Sequence, residues 1–208
     1  DGIRGSARFL DHHLEGRLER AYRIGRYPRQ PDDTTVFRQA LANKKPAGAI
    51  VVGLGMVGEL LPGSLTMALT QGLLEYARIM EQKSAASSEQ PERLEVCSLL
   101  VGTGFAGLTV ESGVRCLFDA LRRANNTLGQ NKLKTRIGRL TIYEEVESRA
   151  VAVVQALREL VSEPRFAEVA IFDGRVRNGE GGYCGRAMTG GGQPGLYRVN
   201  IEADREAL

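Results

Sequence analysis

A chain of 208 residues, 42% of them hydrophobic, is long enough to bury a full core, and one globular unit is the natural organisation at this length. No stretch approaches the roughly 18 consecutive apolar residues of a membrane-spanning helix. A formal net charge of +3 is too small to point to nucleic acid as a partner. The opening residues, DGIRGSARFLDHH, lack both an initiator Met and the charged-then-apolar pattern of a secretory signal. They read as the start of a piece cut from a longer, cytoplasmic protein. Three cysteines, Cys97, Cys116 and Cys184, are an odd count without metal-type spacing. Cys97 and Cys116 sit among apolar residues and are expected to be buried small hydrophobes in a reduced compartment.

In chain order, residues 6–22 place Phe9, Leu10, Leu14, Leu18 and Ala21 at amphipathic helix spacing. Arg17, Arg20, Arg23, Arg26 and Arg29 recur every third residue. On a helix they would form a slowly drifting stripe, either a solvated face or a patch for phosphate or an acidic partner. Residues 34–41 suggest a short strand, and 49–52 a buried one leading into Gly53. Ser64 is placed as the cap of a helix running to about Met80, and QKSAASSEQPE (82–92) as a polar surface loop. A second buried strand is expected over 96–101 and a helix from Thr109 or Glu111 to Asn125-Asn126. A strand over 139–143 and a helix over 147–161 follow. This alternation predicts an α/β domain over 1–163 with a mixed, mainly parallel sheet covered by helices on both faces. Residues 164–208 change character. Nine glycines between Gly174 and Gly195, flanked by AEVAIF and LYRVNI, predict a glycine-rich terminal hairpin with a flexible tongue, packed on the same domain.

The strongest signal is an internal echo. VVGLGMVGELLPGSL (51–65) and LVGTGFAGLTVESGV (100–114) share a strand, V-G-x-G-x-x-G, a link and a helix. Glycines let the chain turn tightly with its N–H groups facing outward, and the next helix adds partial positive charge, so such a turn can hold a phosphate. The candidate phosphate-binding residues are Gly53, Gly55 and Gly58 in the first turn. In the second they are Gly102, Thr103, Gly104, Phe105 and Gly107. Thr103 would offer its hydroxyl and Phe105 would cover a base or ribose. If the two strands were neighbours, both turns would converge on one ligand. Gly104 is expected to resist a side chain. The same glycines equally suit tight turns and close helix–sheet packing. A dinucleotide-binding fold also wants an acid about 20 residues on, at the end of the next strand. Those windows hold Glu75, inside a helix, and Arg122-Arg123, which argues against that fold.

LLVGTGFAGLTVESGVRCLFDALRRA resembles the phosphate-cradling segment of macro domains, with Thr103, Gly104, Phe105, Ala106 and Gly107 at the T-G-x-x-G positions. IGRLTIYEEVESRAVAVVQAL resembles the closing strand, acidic turn and helix of that fold. Residues 11–37 followed by AGAIVVGLG resemble the N-terminal, macro-like domain of leucine aminopeptidases. GAIVVGLGMVGELLPGSL (48–65) and IYEE (142–145) are similar to a bacterial domain found beside caspase-like CHAT proteases in predicted defence proteins. The resemblance implies a three-layer macro-like domain and a nucleotide such as ADP-ribose as ligand. The asparagine-rich first loop of active macro hydrolases has no counterpart here, nor do the caspase-like His and Cys motifs.

Other chemistry is sparse. His12 and His13, adjacent on a helix, diverge by about 100° and cannot readily share a site. Cys184 is the one thiol expected to be exposed. Glu144, Glu145 and Glu147 either cap the next helix or bind a metal. Ser64 and Ser112 lack a G-x-S-x-G elbow. No catalytic residue, metal site or cofactor is assigned, and the isolated chain is expected to hydrolyse neither peptides nor ADP-ribosyl linkages. The favoured reading is a cytoplasmic, non-catalytic sensor or interaction module of a larger protein. Its partners would be other domains of that polypeptide or a separate protein, with no membrane or nucleic-acid partner. The alternatives are a macro-type enzyme acting on ADP-ribose or a nucleotide, and a purely structural scaffold.

Overall fold

The computed structural model describes residues 2–3, 5–39, 46–56, 58–87, 93–104, 106–167, 170–172, 175, 177–179 and 196–203. The expected helix over 6–22 is two helices, α1 (Gly5–His13) and α2 (Arg17–Arg23). They break where Glu15 and Gly16 take φ of 59° and 74°, a conformation glycine adopts freely and a helix cannot contain. Asp11 reaches across the break and accepts hydrogen bonds from Leu18 N (2.7 Å) and Glu19 N (3.3 Å). This supplies the cap that Gly16 lacks. The arginine stripe therefore does not run along one helix. Arg26 and Arg29 lie beyond α2, and Arg29 stacks over Tyr22 at 4.4 Å. Arg17 donates to Arg38 O at 2.6 Å and Arg23 pairs with Glu19 at 3.2 Å.

Strands β1 (Thr34–Arg38) and β2 (Gly48–Val52) form an antiparallel pair of their own. One face, with Phe37, Ala49 and Val51, packs against Ile3, Leu10, Leu14 and Leu18 beneath the first two helices. The other receives α3 (Pro62–Ser87). That helix begins two residues before Ser64 and continues through residues 82–87, expected as loop, where alanine and lysine favour helix.

The larger sheet has the order β3 (Arg93–Leu99), β4 (Arg136–Glu144), β7 (Leu196–Ala203), β5 (Ala170–Phe172). β6 (Arg177–Gly179) also pairs with β7. Only β3 and β4 run parallel; β7 is antiparallel to β4, β5 and β6. The expectation of a mainly parallel sheet is thus corrected. The terminal strand returns beside β4, and β2 pairs with β1 in a separate sheet instead of joining β3. The flanks of the predicted hairpin do pair, Phe172 opposite Ile201. Most of the tongue, 174–195, lies outside the described residues.

Cross-strand register divides this sheet into two faces. Val96, Leu140, Ile142, Val199 and Ile201 turn inward. They pack beneath α3, α4 (Val110–Gln130) and α5 (Glu147–Ser162). Phe118 on α4 meets Phe166 of the short α6 (Pro164–Ala167) edge-on at 5.2 Å. The opposite face carries Glu95–Arg139, Cys97–Thr141–Asn200 and Leu99–Tyr143–Arg198 as cross-strand rows. Arg139 donates to Glu95 at 2.8 Å and Thr141 to Asn200 at 3.0 Å. Cys97 is exposed and the Glu95 side chain is 64% exposed, so no described helix buries this face. Among the described residues, helices on both faces, the expected third layer, are found around β1–β2 but not here. A strand with one solvated face alternates apolar and polar residues, as RLEVCSL does in β3, although Thr141 at the centre of this face is buried. Cys97 is accordingly not the buried hydrophobe the sequence suggested, whereas Cys116 is buried and its Sγ donates to Pro62 O at 3.3 Å.

Candidate functional site

The first glycine turn is closed by its own chain. Gly53 N donates to Asp33 O (2.9 Å) and Gly55 N to Arg29 O (3.0 Å). Asp33 Oδ2 in turn accepts from Arg29 N and Gln30 N, fixing the loop 29–33 against the end of β2. A Cβ on Gly53 would stand 2.0 Å from Gln30 O. Here the glycine exists because another backbone crosses it, and two of the three glycine N–H groups assigned to phosphate already have acceptors. Gly58, with φ of 85°, has nothing within 4 Å of its Cβ position.

The second turn follows β3 directly. Gly102 takes φ of 82° and would place a Cβ 2.9 Å from both Leu60 and Leu108. The exit of the first turn therefore packs on the second, although their strands lie in different sheets and do not converge as neighbours. Leu108 N donates to Gly102 O (3.0 Å) and Gly107 N to Gly104 O (3.2 Å), closing the loop on itself. Gly104 does not have a left-handed φ, and open space surrounds its Cβ position. The expectation that Gly104 resists a side chain is corrected on both counts. Thr103 Oγ1 donates to Leu100 O at 2.9 Å, so its proton is committed within the chain. Phe105 lies outside the described residues.

The start of α4 already carries an anion. Thr109 caps it, accepting from Ser112 N at 3.2 Å. Glu111 sits in the first turn with its carboxyl held below the usual range, by its own backbone N–H first and the Thr109 hydroxyl second. The terminus that was to favour phosphate is supplied from within.

Beside this turn lies a group that sequence reasoning missed. Parallel pairing brings the carboxyl ends of β3 and β4 to one rim. There Arg149, in the first turn of α5, donates from Nε to Glu144 Oε2 at 2.9 Å and from Nη2 to Thr103 Oγ1 at 2.6 Å. Glu144 is 8% exposed; hydrogen bonding to it raises the already high pKa of the Arg149 guanidinium, so the arginine stays charged. Glu144 does not cap α5, whose N-cap is Val146 without a side-chain bond. Among the described residues no three His, Cys, Asp or Glu side chains are grouped to hold a metal. Partial desolvation raises the pKa of both Cys97 and Cys116 thiols. His13 packs edge-on against Phe9 at 5.1 Å and His12 at 5.5 Å. Cys184 lies outside the described residues.

Among the described residues, several large apolar side chains are exposed, Phe9 and Ile24 in or after the first two helices and six others at or after strand ends. Met56, Leu61 and Met67 follow β2, Leu99 ends β3, and Val146 and Val151 follow β4. No helix is long and apolar enough among the described residues to cross a membrane. No protein-family model, curated protein or solved structure matches this chain.

Proposed function

We propose that the chain is a non-catalytic sensor or interaction module of a larger cytoplasmic protein, with a phosphate-bearing nucleotide such as ADP-ribose held at the turn 102–107. The observation that carries this reading is the rim at the carboxyl ends of β3 and β4. It combines an open glycine position at 104 with exposed apolar side chains at Leu99, which ends β3, and Val146, just after β4. Open α/β sheets take ligands at the carboxyl ends of their strands. Apolar side chains left in water at such an end suit a base, or a neighbouring domain of the same polypeptide. In the defence-protein setting that the sequence resembles, this neighbour is a caspase-like protease that responds to the module's state. The order of strand, glycine turn, helix and parallel strand over 93–144 supports a macro-like arrangement.

Two observations favour a purely structural reading: the first turn is filled by residues 29–33, and α4 is capped by its own side chains. Calorimetric titration with ADP-ribose and adenine nucleotides separates the two readings. Saturable heat below about 1 mM, a level worth only about 4 kcal/mol of binding, is the expected result. Flat titrations at that concentration leave the structural reading. Release of ADP-ribose from a modified substrate, above a blank, would instead establish an enzyme.

A further inference from the structure

We propose that Arg149 is the charge-reading residue of the turn 102–107, and that the ligand it selects carries a phosphomonoester or diphosphate. The inference rests on the function proposed above and deepens it. Glu144 takes Nε at 2.9 Å and Nη2 at 3.4 Å, and Nη2 also donates to Thr103 Oγ1 at 2.6 Å. These bonds use Nε–H and both hydrogens of Nη2. The other amine of the guanidinium, Nη1, brings two more donors and meets no acceptor among the described residues. The side chain is 35% exposed. Nη1 shares a carbon with Nη2 and therefore lies close to the Thr103 hydroxyl, one residue from Gly104 and its empty Cβ position.

The buried carboxylate does not cancel the site. A guanidinium fixes five N–H groups in one plane, so Glu144 and Thr103 can hold Nε and Nη2 while a phosphoryl oxygen takes Nη1. Holding it also fixes the rotamer in advance, so less side-chain entropy is lost when ligand binds. Thr103 serves as an anchor: its proton goes to Leu100 O and its lone pair to Arg149. The role the sequence suggested for the Thr103 hydroxyl, donating to phosphate, passes to Arg149.

The test is titration of the full chain with ADP-ribose, pyrophosphate and adenosine, in wild type, R149Q and T103V, with thermal melts alongside. Wild type should bind ADP-ribose and pyrophosphate and prefer both to adenosine. R149Q should weaken ADP-ribose by about 10- to 100-fold, the range of one charge-assisted hydrogen bond, and leave adenosine unchanged. A folded R149Q that binds ADP-ribose as wild type does overturns the inference. Should R149Q fail to fold, T103V removes only the anchor; a several-fold loss for ADP-ribose alone supports the inference, and unchanged affinity overturns it. Flat wild-type titrations with every ligand defeat the proposed function and this inference together. Binding that ignores Arg149 defeats only the second.

Discussion

Asn125 is the side chain whose loss should cost this fold most for its size. It is 4% exposed on α4, and its amide meets both backbone groups of Ile137: Oδ1 accepts from Ile137 N at 2.9 Å and Nδ2 donates to Ile137 O at 3.0 Å. This occurs where the parallel ladder slips, with Leu94 opposite Ile137 but Glu95 opposite Arg139. Gly138 is the extra residue of that bulge, and the asparagine amide stands in for a strand beside it. Asn125→Ala would orphan one buried N–H and weaken the satisfaction of one buried C=O. At about 1–3 kcal/mol for the orphaned N–H and about 1–2 for the weakened C=O, the expected loss is about 2–5 kcal/mol. With a urea m-value of about 2 kcal/mol/M, the midpoint should fall by roughly 1–2.5 M at unchanged m. Hydrogen exchange at Ile137 should accelerate with it. A loss below about 0.5 kcal/mol, the range of an ordinary surface substitution, would refute the view that Asn125 completes the ladder.

Three other outcomes follow from the same structure. Asp11→Ala removes the cap shared by Leu18 and Glu19 and should lower Tm by about 2–8 °C, from about 1–2 kcal/mol in a chain of this size. The Glu81 carboxyl is held below its ordinary value of 4.5, first by the Thr135 hydroxyl and also by the N–H groups of Thr135 and Lys134. A depressed folded pKa stabilises at pH above 4.5 and loses that contribution as pH falls through the folded value. Glu81→Gln should therefore narrow its stability gap to wild type as acid is added; a constant gap would count against the linkage. Among glycines, alanine should cost at least about 3 kcal/mol at Gly53, against the Gln30 carbonyl. Denaturant melts should show about 1 kcal/mol at left-handed Gly58 and within about 0.5 kcal/mol at open Gly104.

What the sequence revealed depended on how local the cause was. α5 and β4 emerged near their expected limits because their apolar spacing is set by one buried face. The break after α1 was hidden because Gly16 sits inside an otherwise helical apolar period. β3 was placed three residues late, as the apolar run 99–101 looked like strand. Leu100 is instead buried beneath the turn. Strand direction was out of reach: the partner of β4 is β7, about sixty residues downstream, and no periodicity encodes a pairing across that distance. The alternation in RLEVCSL could have warned that one face of β3 meets water. Arg149 carried no signal of its own, since its meaning depends on a Glu144 buried five residues earlier and on Thr103 across the rim.

The repeated V-G-x-G-x-x-G thus records two different physical demands. At Gly53 a crossing backbone forbids a side chain. At Gly102 a left-handed φ and the packing of Leu60 and Leu108 do so. Neither requirement needs a ligand, and each would keep its glycine in a scaffold that binds nothing. Gly104 differs, because no neighbour and no left-handed φ demands it. What distinguishes position 104 is its surroundings: the anchored Thr103, the Nη1 donors left on Arg149, and the exposed Leu99 and Val146 at and just after the ends of neighbouring strands. A glycine that packing does not require, beside a cation with donors left over, is where a bound group would make the absence of a side chain useful. That is the physical reason to look for the ligand at the second turn and not at the first.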